Sequence, residues 1–357
     1  MSAVGLIDAQ RDAAATGETR LYSMRFDMRA PDNGAPASDL YAAALEMCAW
    51  AEGRGAVAAA LCEHHMSPDG YLPTPLLLAS AIAARTTRLR IQIAVFHLPL
   101  YNPIRLAEEM CVLDIISKGR VGYIGAVGYV PYEYAMHGVD FRRRGAIAEQ
   151  NLPLLLKAVS GEAFEHEGRR IQVTPPPFTP GGPRIGWGGG SVAAARRAGK
   201  YGLDFLGQRS DPALQAAYEE ACREHGRPPG NFSMSRHDET AVMFVAEDID
   251  AAWAELGPYL MNDVLGYARW YEGDSTDTNS ISFARTADEL RAENRSHRII
   301  TVDEAVERIR AGEALRLHPL IGGLPPTIAW RYLQTVAEKV TPAAGPKASD
   351  TKDLTLN

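Results

Sequence analysis

Between about residues 21 and 341 the sequence alternates short apolar runs with amphipathic helical segments, and this alternation constrains the fold more than any other feature. Parallel strands need long crossover connections, which are usually helices, so the pattern predicts a parallel sheet wrapped by helices. Eight strands of this kind suit a closed (β/α)8 TIM barrel. The runs with the length and composition of buried strands are residues 21–28, 56–62, 88–96, 121–126, 184–188, 203–206, 241–245 and 315–321.

Two segments interrupt the alternation. Residues 162–177 contain a polar turn and a proline-rich bend, which indicates a small hairpin. Residues 266–298 are polar and weakly periodic, and a segment of that length in a compact domain is commonly a functional lid or a disordered loop. We therefore expect one barrel domain over residues 20–341, in which 266–298 is a mobile lid inserted before the last βα unit, with tails at 1–19 and 342–357.

Charge and composition exclude several classes of function. The formal net charge is -7 with a pI near 5.8, whereas nucleic-acid binding needs a concentrated basic face. No apolar run is long enough to cross a bilayer. The four cysteines, Cys48, Cys62, Cys111 and Cys222, lack metal-binding spacing and are typical of reduced thiols in the cytoplasm. We expect a cytoplasmic protein without a metal centre, with neither nucleic acid nor membrane as a partner.

The most informative motif is Glu63-His64-His65, which directly follows the apolar run 56–62. Active sites of parallel barrels are built on the face formed by the carboxyl ends of the strands. One acid and two imidazoles at that face supply groups that exchange protons near neutral pH. A core histidine satisfied by a neighbouring glutamate is the structural alternative, and it is common for a lone Glu-His pair. Further motifs along the chain favour catalysis or ligand binding.

Three further motifs follow Glu63-His64-His65 along the chain. They are Asn-Pro-Ile-Arg-Leu-Ala-Glu-Glu at 102–109 running into Leu-Asp-Ile-Ile-Ser-Lys-Gly-Arg at 113–120, His-Gly-Val-Asp-Phe at 137–141 with Arg144 and Glu149, and Gly-Gly-Gly-Ser at 188–191. In order and spacing, the four motifs together resemble the bacterial luciferase-like monooxygenase family. The resemblance covers roughly residues 20–341.

This resemblance implies a flavoprotein enzyme with its flavin at the carboxyl ends of the barrel strands. In most members of the family, reduced FMN reacts with O2 to give a peroxide at its C4a carbon, which survives only where water is excluded. No nicotinamide-binding Gly-x-Gly-x-x-Gly motif follows an early strand, so a separate flavin reductase is the expected source of reduced FMN. The expected reaction is a monooxygenation of a small or medium organic substrate.

The resemblance also implies catalytic roles for the first motif. His64 matches the family's base close to the flavin, Glu63 matches the acid that orients that base, and His65 matches a second family histidine. Histidine suits the control of a proton because its unperturbed pKa is about 6.5. We expect His64 to be the principal catalytic residue.

The FMN phosphate is expected at the start of a helix near residue 192. Gly189, Gly190 and Ser191 precede that helix, and backbone N–H groups at a helix start suit an anion. The glycines permit close approach of the main chain. Arg144 matches the family's arginine after Gly-x-Asp-Phe and would supply a cation.

The flavin ring and the substrate are expected on neighbouring strand ends. Ala94-Val95 falls where the family has a non-proline cis peptide under the isoalloxazine ring. His97, Tyr129 and Trp187 lie near predicted strand ends, so we expect them to line a substrate pocket, although plain packing explains each of them equally well.

The sequence departs from luciferases proper at two places. Ala126 and Val127 stand near the positions of a cysteine and an arginine, and Gly190 replaces an acid next to the phosphate-site serine. Light emission from a long-chain aldehyde is therefore not expected. A homodimer is expected, since family members commonly pair through barrel helices.

Two alternative functions stay open. One is a deazaflavin-dependent oxidoreductase that transfers hydride without O2. The other is a non-catalytic flavin-binding protein of the same fold, although retention of Glu63, His64 and His65 together argues against it.

Overall fold

The computed structural model describes residues 21–236, 238–271, 278 and 281–344. The predicted tails lie outside these residues, except for 342–344, and so do residues 272–277 and 279–280 of the predicted lid. The strands are β1 (Tyr22–Phe26), β2 (Ala56–Leu61), β3 (Arg90–His97), β4 (Val121–Ala126), β5 (Phe164–His166), β6 (Arg169–Ile171), β7 (Ile185–Gly189), β8 (Asp204–Gly207), β9 (Phe232–Met234), β10 (Val242–Val245), β11 (His297–Ile300) and β12 (Leu315–Leu317).

Helices follow most of the strands. They are α1 (Ala37–Ala51), α2 (Pro75–Arg85), α3 (Pro103–Ser117), α4 (Pro131–Met136), α5 (Arg144–Ala158), α6 (Val192–Tyr201), α7 (Pro212–Glu224), α8 (Ile249–Trp270), α9 (Ala287–Glu293), α10 (Val302–Arg310), α11 (Pro326–Thr335) and α12 (Thr341–Ala344). Single turns of 3-10 helix lie at Leu98–Leu100, Phe141–Arg143 and Ile321–Gly323, and a π-helical segment, Val336–Val340, joins α11 to α12. In the described part of the chain, no helix is both long and apolar enough to span a membrane.

One sheet contains ten strands in the order β11-β10-β12-β1-β2-β3-β4-β7-β8-β9, and every neighbouring pair is parallel. All six residues of β2 are buried, as expected for a parallel strand covered on both faces. This parallel sheet with flanking helices confirms the predicted α/β fold class. The separate antiparallel pair β5–β6 confirms the hairpin predicted within 162–177.

The structure adds regular elements that the sequence pattern does not predict. β9 and β11 have three and four residues, which is too short for a periodic pattern to be recognised. The predicted insertion 266–298 is also more regular than expected, because α8 continues to Trp270, α9 follows, and β11 begins at His297. A mobile lid in this segment stays a prediction.

The carboxyl ends of adjacent strands bring polar side chains to one edge of the sheet. Asp27 follows β1, Glu63 follows β2, His97 ends β3 and His318 follows β12. All four side chains are buried. This edge is therefore the place to look for a functional site.

Candidate functional site

Two carboxylates and three imidazoles meet at this edge, and we call Glu63, His64, His65, His97 and Glu133 the His–Glu cluster. Each of these residues is at most 7% exposed. Glu133 lies in α4, which begins at Pro131 directly after the loop that follows β4. Buried ionisable groups are retained where they are paired or functional, so the contacts within the cluster define what it can do.

His64 is held between Glu133 and an aromatic wall. Its Nδ1 lies 2.8 Å from Oε1 of Glu133, and its Nε2 lies 3.4 Å from the hydroxyl of Tyr129. The ring stacks on Trp270 with centroids 3.9 Å apart. Tyr71 packs edge-on against it at 4.9 Å. We name Tyr71, Tyr129, Trp270 and the nearby Tyr267 the aromatic wall.

These surroundings keep His64 neutral. Burial lowers the pKa of His64 well below its usual range, and the charges of Arg29 and Arg25 lower it further. A neutral ring that donates from Nδ1 to Glu133 has its lone pair at Nε2. Burial also raises the pKa of Glu133, whose Oε1 in addition accepts the backbone N–H of His65 at 3.0 Å. His64 can therefore accept a proton at Nε2 while Glu133 fixes its tautomer.

Glu63 was expected to orient His64, and this is wrong. Its Oε1 lies 2.9 Å from Nε2 of His65, and its Oε2 accepts from the hydroxyl of Tyr101 at 2.7 Å. In an extended segment alternate side chains share a side, so Glu63 faces His65 rather than its immediate neighbour. Glu133 takes the orienting position instead, and no sequence motif marks it because it lies 69 residues from His64.

His65 differs electrostatically from its neighbour. Burial opposes its protonation, but the hydrogen bond and charge of Glu63 outweigh burial and raise the pKa of His65. The ring of His137, from the third motif, packs edge-on at 4.7 Å. The structure thus brings Glu63, His64 and His65 to one site. There, His65 pairs with Glu63, and His64 pairs with Glu133.

Two predicted pocket residues belong to the packed interior. His97 is 1% exposed and its Nδ1 lies 3.6 Å from Glu133 Oε2 and 3.9 Å from Glu63 Oε1, so it separates the two carboxylates rather than lining a pocket. Trp187 is fully buried, and its ring is so close to Gly125 that a Cβ there would lie 2.9 Å from Cζ3. Tyr129 does lie at the site, in contact with His64.

The predicted ring site lies on β3, close to the end of β7, although β4 lies between these two strands in the sheet. The peptide bond between Ala94 and Val95 is cis, as the resemblance implies. A Cβ on Gly188 would lie 3.4 Å from Cγ1 of Val95, so the glycine-rich end of β7 abuts this peptide. The structure therefore places the Ala94-Val95 segment beside the predicted phosphate segment.

The predicted phosphate site has the shape of an anion cradle. Gly189 has φ of +152° and a Cβ there would lie 2.8 Å from Cβ of Ala194, so no other residue fits. After Gly190, Ser191 caps α6 by accepting the N–H of Ala194 at 3.2 Å. The other free N–H groups of the first turn point away from the helix. This geometry suits a phosphate.

Arg144 begins the adjacent helix α5. Its guanidinium lies 3.8 Å from the ring centre of Phe141, and its buried Nε has no partner among the described residues. Arg197 of α6 contacts Glu149 Oε1 at 2.7 Å and the carbonyl of Gly145 at 3.3 Å, which holds α6 against α5. Nη1 of Arg144 donates to the carbonyl of Phe141 at 3.0 Å, so its Nε is the group left for a ligand, and binding of a phosphate by Arg144 stays a prediction.

Among the residues that the structure describes, two groups of three buried side chains have ligand atoms within 4.8 Å of one another, as a metal site would: Glu63, His65 and His97, and Asp27, Asp263 and His318. In the first group, His65 and Tyr101 already occupy the oxygens of Glu63. In the second, the guanidinium of Arg29 lies 3.7 Å from Asp27 and 3.9 Å from Asp263, so a cation is already present.

Comparison with known proteins gives a consistent result. A family model described as luciferase-like monooxygenase matches residues 24–318. The oxygenase component of flavin-dependent trigonelline monooxygenase from Acinetobacter baylyi is 25% identical over 301 residues, which is 77% of this chain and 81% of that protein. Two uncharacterized proteins of Sinorhizobium fredii are 34% and 32% identical, but the chain spans only 37% and 44% of their length.

Solved structures show the same fold at low sequence identity. The oxygenating constituent of 3,6-diketocamphane monooxygenase from Pseudomonas putida, solved in complex with FMN, matches with a TM-score of 0.64 and 19% identity over 90% of this chain and 98% of that one. An F420-dependent secondary alcohol dehydrogenase matches with a TM-score of 0.58 and 16% identity over 91% of this chain and 99% of that one.

Proposed function

The chain belongs to the luciferase-like monooxygenase family, and from this premise we propose that it is the oxygenase component of a two-component monooxygenase that uses reduced FMN and O2. The observation that carries the proposal is a neutral, buried His64, oriented by Glu133, close to a strand end of the parallel sheet. Reduced FMN, when bound, supplies the electrons that activate O2.

The residues that would hold FMN fit its chemistry. The start of α6 with Gly189, Gly190 and Ser191 suits the phosphate, and the unpaired Nε of Arg144 suits its charge. The ring would lie on the cis Ala94-Val95 peptide. Support also comes from the diketocamphane enzyme, which shares this fold and was solved with FMN.

His64 would control a proton at Nε2. Because Glu133 accepts from Nδ1, the ring keeps one tautomer and one orientation. The aromatic wall packs against the imidazole ring of His64 and keeps water from it. His65 and Glu63 form a second pair that holds a proton beside the first, since the pKa of His65 is raised.

A separate flavin reductase is the proposed partner. The trigonelline enzyme is named as an oxygenase component, which implies a second protein in that system. We extend this to the present chain.

The second proposed partner is another copy of the chain. Four apolar side chains are exposed on neighbouring helices: Leu77 of α2 and Val112, Ile115 and Ile116 of α3. A groove of about 540 Å³ lies between these helices. Sedimentation should give twice the chain mass for the wild type and a single mass for Val112→Asp, while Phe283→Asp, at an exposed position just before α9, should stay dimeric. A monomeric wild type would contradict the homodimer.

The first experiment is an anaerobic titration with FMN, reduced FMN and a deazaflavin, followed by admission of O2. Tight binding of reduced FMN, with reoxidation slower than that of free reduced FMN, is the expected result. Preference for the deazaflavin without reaction with O2 would instead indicate hydride transfer, as in the F420-dependent neighbour. Binding of no flavin would favour a non-catalytic protein.

A further inference from the structure

Arg25 is a cation at the site that forms no ion pair within 4 Å in the described part of the chain, and the charge of Asp263 acts on it only from farther away. It lies on β1 in register with Ala60 of β2. One guanidinium nitrogen donates to the hydroxyl of Tyr71 at 3.2 Å and also to that of Tyr267. The buried Nε has no hydrogen-bond partner among the described residues. Two neutral hydroxyls satisfy part of this side chain but do not neutralise its charge.

Two nearby arginines do form ion pairs. Arg29, which follows β1, contacts Asp69 and lies 3.7 Å from Asp27 and 3.9 Å from Asp263. Arg316, on the neighbouring strand β12, lies 3.0 Å from a carboxylate oxygen of Glu239. Charges removed from water are normally paired with an opposite charge, because an uncompensated one is costly. Arg25 has no such close carboxylate among the described residues.

The position of Arg25 connects it to the proposed chemistry. Tyr71, to which it donates, has its ring 4.9 Å from that of His64, and Tyr267 has its ring 6.2 Å away. The two tyrosine hydroxyls also bond to each other at 2.9 Å. Arg25 is only half-buried, whereas Tyr71 and Tyr267 are buried. A group bound to Arg25 would therefore lie beside His64.

We propose that Arg25, with the hydroxyls of Tyr71 and Tyr267, binds the carboxylate of the substrate, and that the substrate class is an aromatic carboxylate. A guanidinium matches a carboxylate in charge and in bidentate geometry. The aromatic wall supplies faces and edges against which a planar ring packs. This inference rests on the proposed function, since it identifies the substrate end of the same site.

The test compares benzoate with benzamide, its neutral analogue of almost the same shape, by calorimetric titration of the full-length protein without flavin. We expect the wild type to bind benzoate about 10- to 100-fold more tightly than benzamide, because only benzoate pairs with the charge. Arg25→Gln should lose this preference, and Arg25→Lys should retain part of it because the charge remains. The matched control Arg316→Gln removes an arginine that is already paired and should keep the full preference.

Each outcome decides the inference. Equal binding of benzoate and benzamide to the wild type, no binding of either, or a preference that survives Arg25→Gln would overturn it. If Arg25→Gln fails to fold by circular dichroism, the Tyr71→Phe and Tyr267→Phe double variant takes its place and should weaken benzoate selectively. A parallel titration with reduced FMN separates the two proposals: benzoate preference without FMN binding rejects the monooxygenase, and FMN binding without benzoate preference rejects the carboxylate site.

Discussion

The two sides of the His–Glu cluster shift the pKa values of two neighbouring histidines in opposite directions. On one side, burial near Arg25 and Arg29 lowers the pKa of His64. On the other, the hydrogen bond that His65 donates to Glu63, with the charge of Glu63, raises the pKa of His65 despite its burial. The two positions differ by one residue in the sequence, so the difference comes from tertiary surroundings and not from the local motif.

The difference between the two histidines indicates which of them accepts a proton and which holds one. Groups whose pKa values are driven apart can serve as proton acceptor and proton holder at one pH. His64 is the neutral acceptor, and His65 with Glu63 is the charged pair. The predictions below test this division, from the largest expected effect to the smallest.

The largest effect is expected from His64→Ala. Product formed per reduced FMN consumed should fall about 10²- to 10⁴-fold, the usual contribution of a positioned acid–base group. Reduced FMN should still bind, because the expected phosphate and ring sites lie elsewhere. The measurement is product yield with a supplied reductase, and binding is followed separately by anaerobic titration. Unchanged product formation would remove His64 from the mechanism.

A smaller loss is expected from Glu133→Gln. The amide cannot accept the Nδ1 proton of His64 as strongly, and loss of a charged hydrogen bond costs about 1.5–3 kcal/mol, or roughly 10- to 100-fold in rate. If Glu133 acts only by positioning His64, the same change in a His64→Ala background should have no further effect on product formation. Additive losses would show an independent role, and Glu133→Asp should restore part of the activity.

The fold could be predicted from the sequence because buried parallel strands are apolar throughout. β2, which is buried along its whole length, is an example. β9 (Phe-Ser-Met) and β11 (His-Arg-Ile-Ile) could not be predicted, since both are short and contain polar residues, whereas the equally short β10 (Val-Met-Phe-Val) is a continuous apolar run. The end of α8 was missed because Gly266 is a poor helix former and the sequence becomes polar soon after Trp270, so the helix was expected to end too early.

The candidate site could be predicted only where it is local in sequence. Glu63, His64 and His65 follow a strand, and that position is visible without a structure. Glu133 and Trp270 reach His64 from distant helices, and no spacing in the chain connects them to it. Trp187 failed as a pocket residue because its side chain packs into the core, and strand alternation alone does not say which face is filled.

Glu63→Gln tests the raised pKa of His65 through its effect on the free energy of unfolding. A raised folded pKa means that His65 stabilises the protein fully below about pH 6.5 and loses this effect as pH rises through the folded value. The variant removes the carboxylate charge and leaves a weaker hydrogen bond from His65 to an amide oxygen, so we expect a loss of about 1.5 kcal/mol in the free energy of unfolding near pH 6 and a smaller loss near pH 8.5. Urea unfolding at both pH values checks this. A difference between variant and wild type that grows with pH would contradict the assignment.

The smallest effect is expected from Tyr129→Phe. The Tyr129 hydroxyl is 3.4 Å from Nε2 of His64, a long contact between neutral groups. Its loss should cost less than about 1 kcal/mol, or less than about fivefold in product formation. The variant still decides something, because Nε2 is the atom at which His64 would exchange its proton. If Tyr129→Phe were as damaging as His64→Ala, Tyr129 would itself be the proton donor and His64 would be its hydrogen-bond partner. The opposed pKa shifts of His64 and His65 would then stabilise that Tyr129–His64 pair, and they would not separate a proton acceptor from a proton holder.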